Sequence, residues 1–193
     1  MPHYSVEARK ASTSLMHSVC NLSLSMFKNQ IFVLLGHNGA GKTTTMSMLA
    51  GQLPSTSGTS IIFDYDIFKQ QDQMNDITGI CPQHNALLES FTVRENIKYF
   101  CGLKMMTEEE IETHSNDIMD RLSIQDKKNS FVHTLSGGQK RKLQLLIALA
   151  GNVKFILLDE PSSGMDPTAR KDTWDLIKSF RNDKIMIMTT HYM

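Results

Sequence analysis

The chain has 193 residues, 40% hydrophobic and 21% charged, with 20 basic and 20 acidic side chains in balance. That is the size and make-up of one globular domain able to bury a core without staples. A net charge of zero argues against a dedicated nucleic-acid binder, and three cysteines (Cys20, Cys81, Cys101) not spaced as a zinc pair point to a reduced, cytosolic compartment.

The start, MPHYSVEARK, lacks the apolar stretch of a secretory signal. The longest apolar runs, such as IFVLL at 31–35 and LLIALA at 145–150, fall far below the roughly 18 residues a membrane helix needs. If the chain works at a membrane, something else holds it there.

Residues 1–18 carry little pattern. Residues 19–27 (VCNLSLSMF) alternate as a half-buried strand does, and 31–35 read as a buried strand ending at Gly36. A glycine-rich loop leads into a helix to about Ala50, with Gly51 as its stop. Residues 60–63 (SIIF) suggest another strand. Thr107 with Glu110 makes a capping box, worth about 1 kcal/mol, before a helix with Ile111, Ile118 and Leu122 on one face. Ser136 opens a second helix to about Ala150. Residues 155–158 (FILL) form a buried strand. Asp166-Pro167 supplies an N-cap and first-turn proline to a helix carrying Trp174, Ile177 and Phe180, and 185–188 (IMIM) form a last strand. This alternation predicts an α/β fold with a mainly parallel sheet. Lys140-Arg141-Lys142 reads as the solvated face of the helix after Ser136, and the 13 methionines as core filler.

Three motifs carry chemistry. Gly36-His37-Asn38-Gly39-Ala40-Gly41-Lys42-Thr43 fits G-x-x-x-x-G-K-[ST], between a strand and a helix. Backbone N–H groups of such a loop converge on phosphate, Lys42 reaches the β- and γ-phosphates, and Thr43 ligates magnesium. The strand at 155–158 delivers Asp159 and Glu160 to its C-terminal end, where open α/β sheets bind ligands. Asp159 is expected to hold magnesium and Glu160 to orient or deprotonate a water. Leu135-Ser136-Gly137-Gly138-Gln139, at a helix start, is a second anion site that one nucleotide does not need.

LSGGQ resembles the signature motif of ATP-binding cassette (ABC) proteins. The resemblance extends to Gln83 in CPQHN as the Q-loop glutamine, to Asp166 in SGMD as part of the D-loop, and to His191 after IMIMTT as the switch histidine. Six motifs stand in the family's order. GHNGAGKTTTMSMLAGQLPSTSGT, LSGGQKRKLQLLIALAG and LDEPSSGMDPTARKDTWDLI are similar to nucleotide-binding domains of subfamily A transporters, over about residues 18–193. These are eukaryotic full transporters mostly associated with lipid movement.

The resemblance implies a P-loop NTPase core with an N-terminal antiparallel β part (1–30), a catalytic core (31–82 and 152–193) and a Q-loop with an inserted helical subdomain (83–151). It implies ATP bound along 36–44, Thr44 included, with magnesium between Thr43, Asp159 and Gln83. Two cassettes would close head to tail, so that Ser136, Gly137, Gly138 and Gln139 of one face the nucleotide of the other, Asp166 lying close by. Glu160, His191, Lys42 and Gln83 would carry hydrolysis, on the cytosolic face of a membrane, below transmembrane domains absent from this chain and with no nucleic-acid partner.

Two departures stand out. The family places an adenine-stacking aromatic about two dozen residues before the first loop glycine. Here that window, ARKASTSLM, has none, and Tyr4 is the nearest. The family also continues past the switch histidine with a helix and more strands, so the chain reads as a piece truncated just after His191. Missing terminal elements would expose an apolar sheet face or edge. The alternatives to a transporter engine are a soluble ABC ATPase and a nucleotide-binding fragment without turnover. No heptad run of a chromosome-type member separates Lys42 from Ser136.

Overall fold

The computed structural model of the chain describes residues 4–8, as backbone, and 18–190. Strands β1 (Tyr4–Ala8) and β2 (Leu22–Met26) pair antiparallel, Tyr4 opposite Met26. Then come β3 (Gln30–Leu35), α1 (Lys42–Leu49) and a small hairpin of β4 (Ile61–Ile62) and β5 (Tyr65–Asp66). After these follow α2 (Gln71–Ile77), β6 (Thr78–Cys81), α3 (Val93–Leu103), α4 (Glu108–Arg121) and α5 (Gly137–Ala148). The chain closes with β7 (Phe155–Asp159), α6 (Pro167–Ser179) and β8 (Ile185–Thr190).

The central sheet is parallel throughout, in the order β3-β8-β7-β6. Its middle strands β7 and β8 are buried at every residue, which is why their sequences are nearly unbroken apolar runs. Phe155, Leu157, Ile185 and Ile187 pack into one layer with Met46 and Leu49 of α1. Ile156, Leu158, Met186 and Met188 face the other, with Ile97, Leu143, Leu146 and Ile177. Register sets Leu35 beside Thr190, Asp159 beside Thr189 and Cys81 beside Leu158. The C-terminal ends of all four strands therefore lie level, and the loops leaving them meet on one edge.

The elements read from sequence are present, with shifted bounds. The 60–63 strand is shorter because Phe63 and Asp64 take φ of 49° and 67° in the turn joining β4 to β5. The helix after Ser136 ends at Ala148, and Gly151 follows with φ +80°. Strand β1 lies in the stretch that carried little pattern.

Elements α2, β5, β6 and α3 escaped the sequence reading. In α2 the one buried side chain is Met74, too little for a periodic signal. β6 contains Gly79, which disfavours a strand on propensity. Here it is required by contact: a Cβ would stand 2.0 Å from the Ala148 carbonyl oxygen at the end of α5. α3 did carry a sign, since Thr92 and Glu95 form a capping box like that of Thr107 and Glu110.

Of the methionines, Met26, Met46, Met74, Met119, Met165, Met186 and Met188 are buried, as core filler requires, while Met105 is 89% exposed. Val33 and Leu35, on the edge strand β3, are also exposed. Among the described residues, no helix is long and apolar enough to cross a membrane.

Candidate nucleotide-binding site

Strand β3 delivers the chain to Gly36 and the loop before α1. Gly41 takes φ +87°, and a Cβ there would lie 2.3 Å from the Ser18 carbonyl oxygen. Only glycine satisfies both demands. Lys42 folds back over the loop, its Nζ donating to the carbonyls of Gly36 at 2.6 Å and His37 at 3.1 Å. The Thr45 hydroxyl donates to Gly41 O at 2.9 Å, and His37 Nδ1 hydrogen-bonds the Asn38 carbonyl at 2.8 Å. A cavity of about 380 Å³ opens over residues 38–44 and is lined as well by Ser18, Gln83 and Glu160. A second cavity, of about 200 Å³, shares Thr43 and Gln83 with it and adds Asp159.

At the end of β7 the Asp159 carboxylate is buried and accepts from the Thr189 hydroxyl. That hydroxyl also accepts the Glu160 amide at 3.0 Å. Glu160 itself has φ +50°, left-handed for a residue with a side chain. The turn sends its carboxylate toward the next loop, where Gln83 Nε2 donates to Glu160 Oε1 at 3.4 Å. The structure thus gathers residues 38–44, Gln83, Asp159 and Glu160, with Gly36 and His37 anchoring the lysine.

Ser136, Gly137, Gly138, Gln139 and Asp166 do not line this cavity. Ser136 caps α5: its hydroxyl accepts the Gln139 amide at 3.3 Å, and its own amide donates to Gln139 Oε1 at 2.9 Å. A Cβ on Gly137 would meet nothing within 4 Å, and one on Gly138 nothing closer than 3.7 Å. Asp166 caps α6, accepting the amides of Thr168 and Ala169 at 3.0 Å. The Ala169 bond above all holds its carboxyl below the usual range. His191 lies outside the described residues, and so does most of the adenine window. Tyr4 is described as backbone only.

The basic triplet departs from the sequence reading. Lys140 pairs with Glu89 at 2.7 Å, but Arg141 is 5% exposed and Lys142 9%. Lys142 Nζ donates to the Leu122 carbonyl at 2.6 Å, closing the end of α4. Arg141 reaches the loop after β6 and the end of β7. The sequence carries a partial sign: Leu143, Leu145, Leu146, Ile147 and Ala148 crowd the helix after the triplet on more than one face, as in a buried helix. Sequence reasoning gave Thr189 no role and placed Arg141 on a solvated face rather than in the site.

Residues 19–163 match the ABC transporter family. The chain belongs to that family. It is 45% identical over 172 residues to ATP-binding cassette sub-family A member 2 of Rattus norvegicus, covering 89% of this chain and 7% of that protein. It is 42% identical over 176 residues to the retinal-specific phospholipid-transporting ATPase ABCA4 of Homo sapiens, 91% of this chain and 8% of the relative. Similarity to the phospholipid-transporting ATPase ABCA3 of Rattus norvegicus is 43% over 173 residues, 90% and 10%. The chain thus spans a tenth or less of these relatives. A solved ATP-binding subunit of an ABC transporter superposes with a TM-score of 0.87 at 20% identity, over 98% of this chain and 80% of that one. A putative ABC transporter ATP-binding protein from Pyrococcus furiosus gives 0.84 at 17%, over 100% and 92%. The fold is therefore that of the ABC ATPases.

Proposed function

We propose that this cassette binds magnesium and ATP, closes head to tail on a second cassette, and hydrolyses ATP to drive lipid movement by a membrane transporter. The observation that carries hydrolysis is the Gln83–Glu160 contact at 3.4 Å across the mouth of the phosphate-loop cavity. It brings a carboxylate and an amide together, from two different strand ends, beside the phosphate loop, which supports their orienting a water toward a γ-phosphate.

In this reading Lys42 exchanges its bonds to Gly36 and His37 for the β- and γ-phosphates, and the N–H groups of 38–44 hold the remaining oxygens. Thr43, Gln83 and Asp159 line one cavity and would hold magnesium. They offer one carboxylate and two neutral oxygens, a donor set suited to an ion that keeps waters and takes phosphate oxygens. Among the described residues, no cluster of three His, Cys, Asp or Glu side chains competes for it. The ion would supply charge neutralisation of the phosphates. Glu160 orients and deprotonates the water, and His191 contacts the γ-phosphate.

Ser136, Gly137, Gly138 and Gln139 act on the partner's nucleotide. Support comes from the lining of this chain's own cavity, which does not include them, and from the open space beside Gly137. A helix N-terminus without side chains lets an anion approach closely. Asp166 would lie close by in the closed pair, which is supported by Gly164 and Met165, just before it, standing beside Gly138. The division into β part (1–30), catalytic core (31–82 and 152–193) and helical subdomain (83–151) follows from the same reading, as does residence on the cytosolic face. Lipid as cargo rests on the names of the relatives, two of which are phospholipid-transporting ATPases.

The test is light scattering after gel filtration of Glu160→Gln, with and without magnesium and ATP, alongside nucleotide binding and turnover. An ATP-dependent dimer, and turnover about 100-fold below that of the unaltered chain, are expected. ATP binding by a chain that stays monomeric would assign the second cassette to a different sequence. Near-normal turnover in Glu160→Gln would overturn the role given to Glu160.

A further inference from the structure

We propose that Arg141 is a positioning residue of the hydrolytic centre, tying the signature helix α5 to the Gln83 loop and to the carboxylate end of β7 so as to set Glu160. The inference rests on the hydrolytic role proposed above for Glu160.

The guanidinium is buried, and the partners that hold it are chiefly main-chain carbonyls. Nη1 donates to Pro82 O, to Gln83 O at 3.5 Å and to Gln144 Oε1 at 3.0 Å. Nη2 donates to Asp159 O, and Nε to Glu160 O at 3.2 Å. Gln144, one turn along α5, donates from Nε2 to His84 O at 3.0 Å. A buried cation is costly where an apolar side chain would fill the same space. What arginine adds is a rigid fork of five donors, able to hold two chain segments at once.

Those two segments carry the two ends of the Gln83–Glu160 contact. Glu160 sits at φ +50°, which a residue with a Cβ keeps only where its surroundings impose it. Arg141 Nε grips its carbonyl and Thr189 Oγ1 its amide. Both main-chain groups of Glu160 are thus held, and its side chain meets Gln83. The same guanidinium holds the backbone of Gln83. Because Arg141 stands on the helix that Ser136 opens, a shift of α5 is passed to the end of β7 through one bond to Asp159 O and one to Glu160 O. A lysine, with one ammonium on a flexible stem, cannot span Pro82, Gln83, Asp159 and Glu160 together.

The experiment compares the unaltered chain with Arg141→Gln and Arg141→Lys, each also combined with Glu160→Gln. It reads KM for ATP, kcat, and amide hydrogen exchange of the nucleotide-free proteins. Expected are a kcat about 100-fold lower with KM nearly unchanged, and almost no further loss from Arg141→Gln once Glu160 is already Gln. Exchange should rise about tenfold at the amides of Gln83, His84, Asp159 and Glu160 and stay constant along α1. An unchanged kcat, an equal loss in the Glu160→Gln background, or a uniform rise in exchange would each overturn the proposal. If Arg141→Gln does not fold, Arg141→Lys carries the same comparison. If the unaltered chain has no turnover at all, the hydrolytic reading falls. Exchange then decides the anchoring by itself: a rise confined to the amides of Gln83, His84, Asp159 and Glu160 upholds it, and its absence removes it.

Discussion

The Thr189 hydroxyl donates to the Asp159 carboxylate while accepting the amide of Glu160 at 3.0 Å. One side chain on β8, fully buried, thus holds both acids that β7 delivers. Neighbouring parallel strands make this possible, since register puts Asp159 opposite Thr189. Thr189→Val keeps the shape and removes both bonds, leaving a buried carboxylate short of a donor. A loss of about 1–3 kcal/mol in chemical denaturation is expected, together with reduced turnover. Thr189→Ser, which keeps the hydroxyl, should stay close to the unaltered chain in both measurements.

Gly39 and Gly41 separate two costs that are usually confounded. Both have positive φ, +81° and +87°, but a Cβ on Gly39 meets nothing within 4 Å whereas one on Gly41 meets Ser18 O at 2.3 Å. Gly39→Ala should cost only the left-handed backbone penalty, about 1–2 kcal/mol. Gly41→Ala should cost more, because backbone must also move. Thermal unfolding without nucleotide reads the difference, and equal losses would show that the Ser18 contact is unimportant.

Lys104 gives a pH dependence with a definite sign. Its Nζ donates to Ile147 O at 3.2 Å and Ala150 O at 3.0 Å, satisfying carbonyls at the end of α5. Burial pulls its pKa down from 10.5 to about 8. Between those values the unfolded chain holds a proton that the folded chain has released, so stability rises with pH across the window. Below about pH 8 both states are protonated and the contribution is lost. Denaturation of the unaltered chain minus that of Lys104→Met should therefore rise by roughly 2–3 kcal/mol from pH 7.5 to 10.5. The buried thiols act in the opposite sense but are common to both proteins, so they largely cancel. A flat difference would mean that Lys104 keeps its charge when folded.

The cysteines divide by burial. All three are free; Cys20 is exposed, and Cys81 and Cys101 are buried with their thiols pushed up to about 11. Desolvation is the main cause at both. A thiol reagent at pH 8 should modify one group quickly in the native chain and all three in denaturant. Fast labelling of two or more native thiols would contradict the core described here.

Much of the site was legible in the sequence because its chemistry is local. A loop that cradles phosphate needs glycines and a lysine at fixed spacing, and 36–43 show them. Asp159 and Glu160 announce themselves by following four apolar residues. Thr107, Ser136 and Asp166 mark helix starts because an N-cap bonds amides two or three residues on. What stayed hidden depends on residues far apart. Gln83 and Glu160 touch across 77 positions. Lys140, Arg141 and Lys142 go to a surface ion pair, a buried clamp and the end of another helix. Helical spacing alone could not separate them, because it says which residues share a face but not what packs against it. The parallel order of β3, β8, β7 and β6 and the seating of α5 against β6 at Gly79 decide that, since they bring together main-chain groups that no local pattern relates.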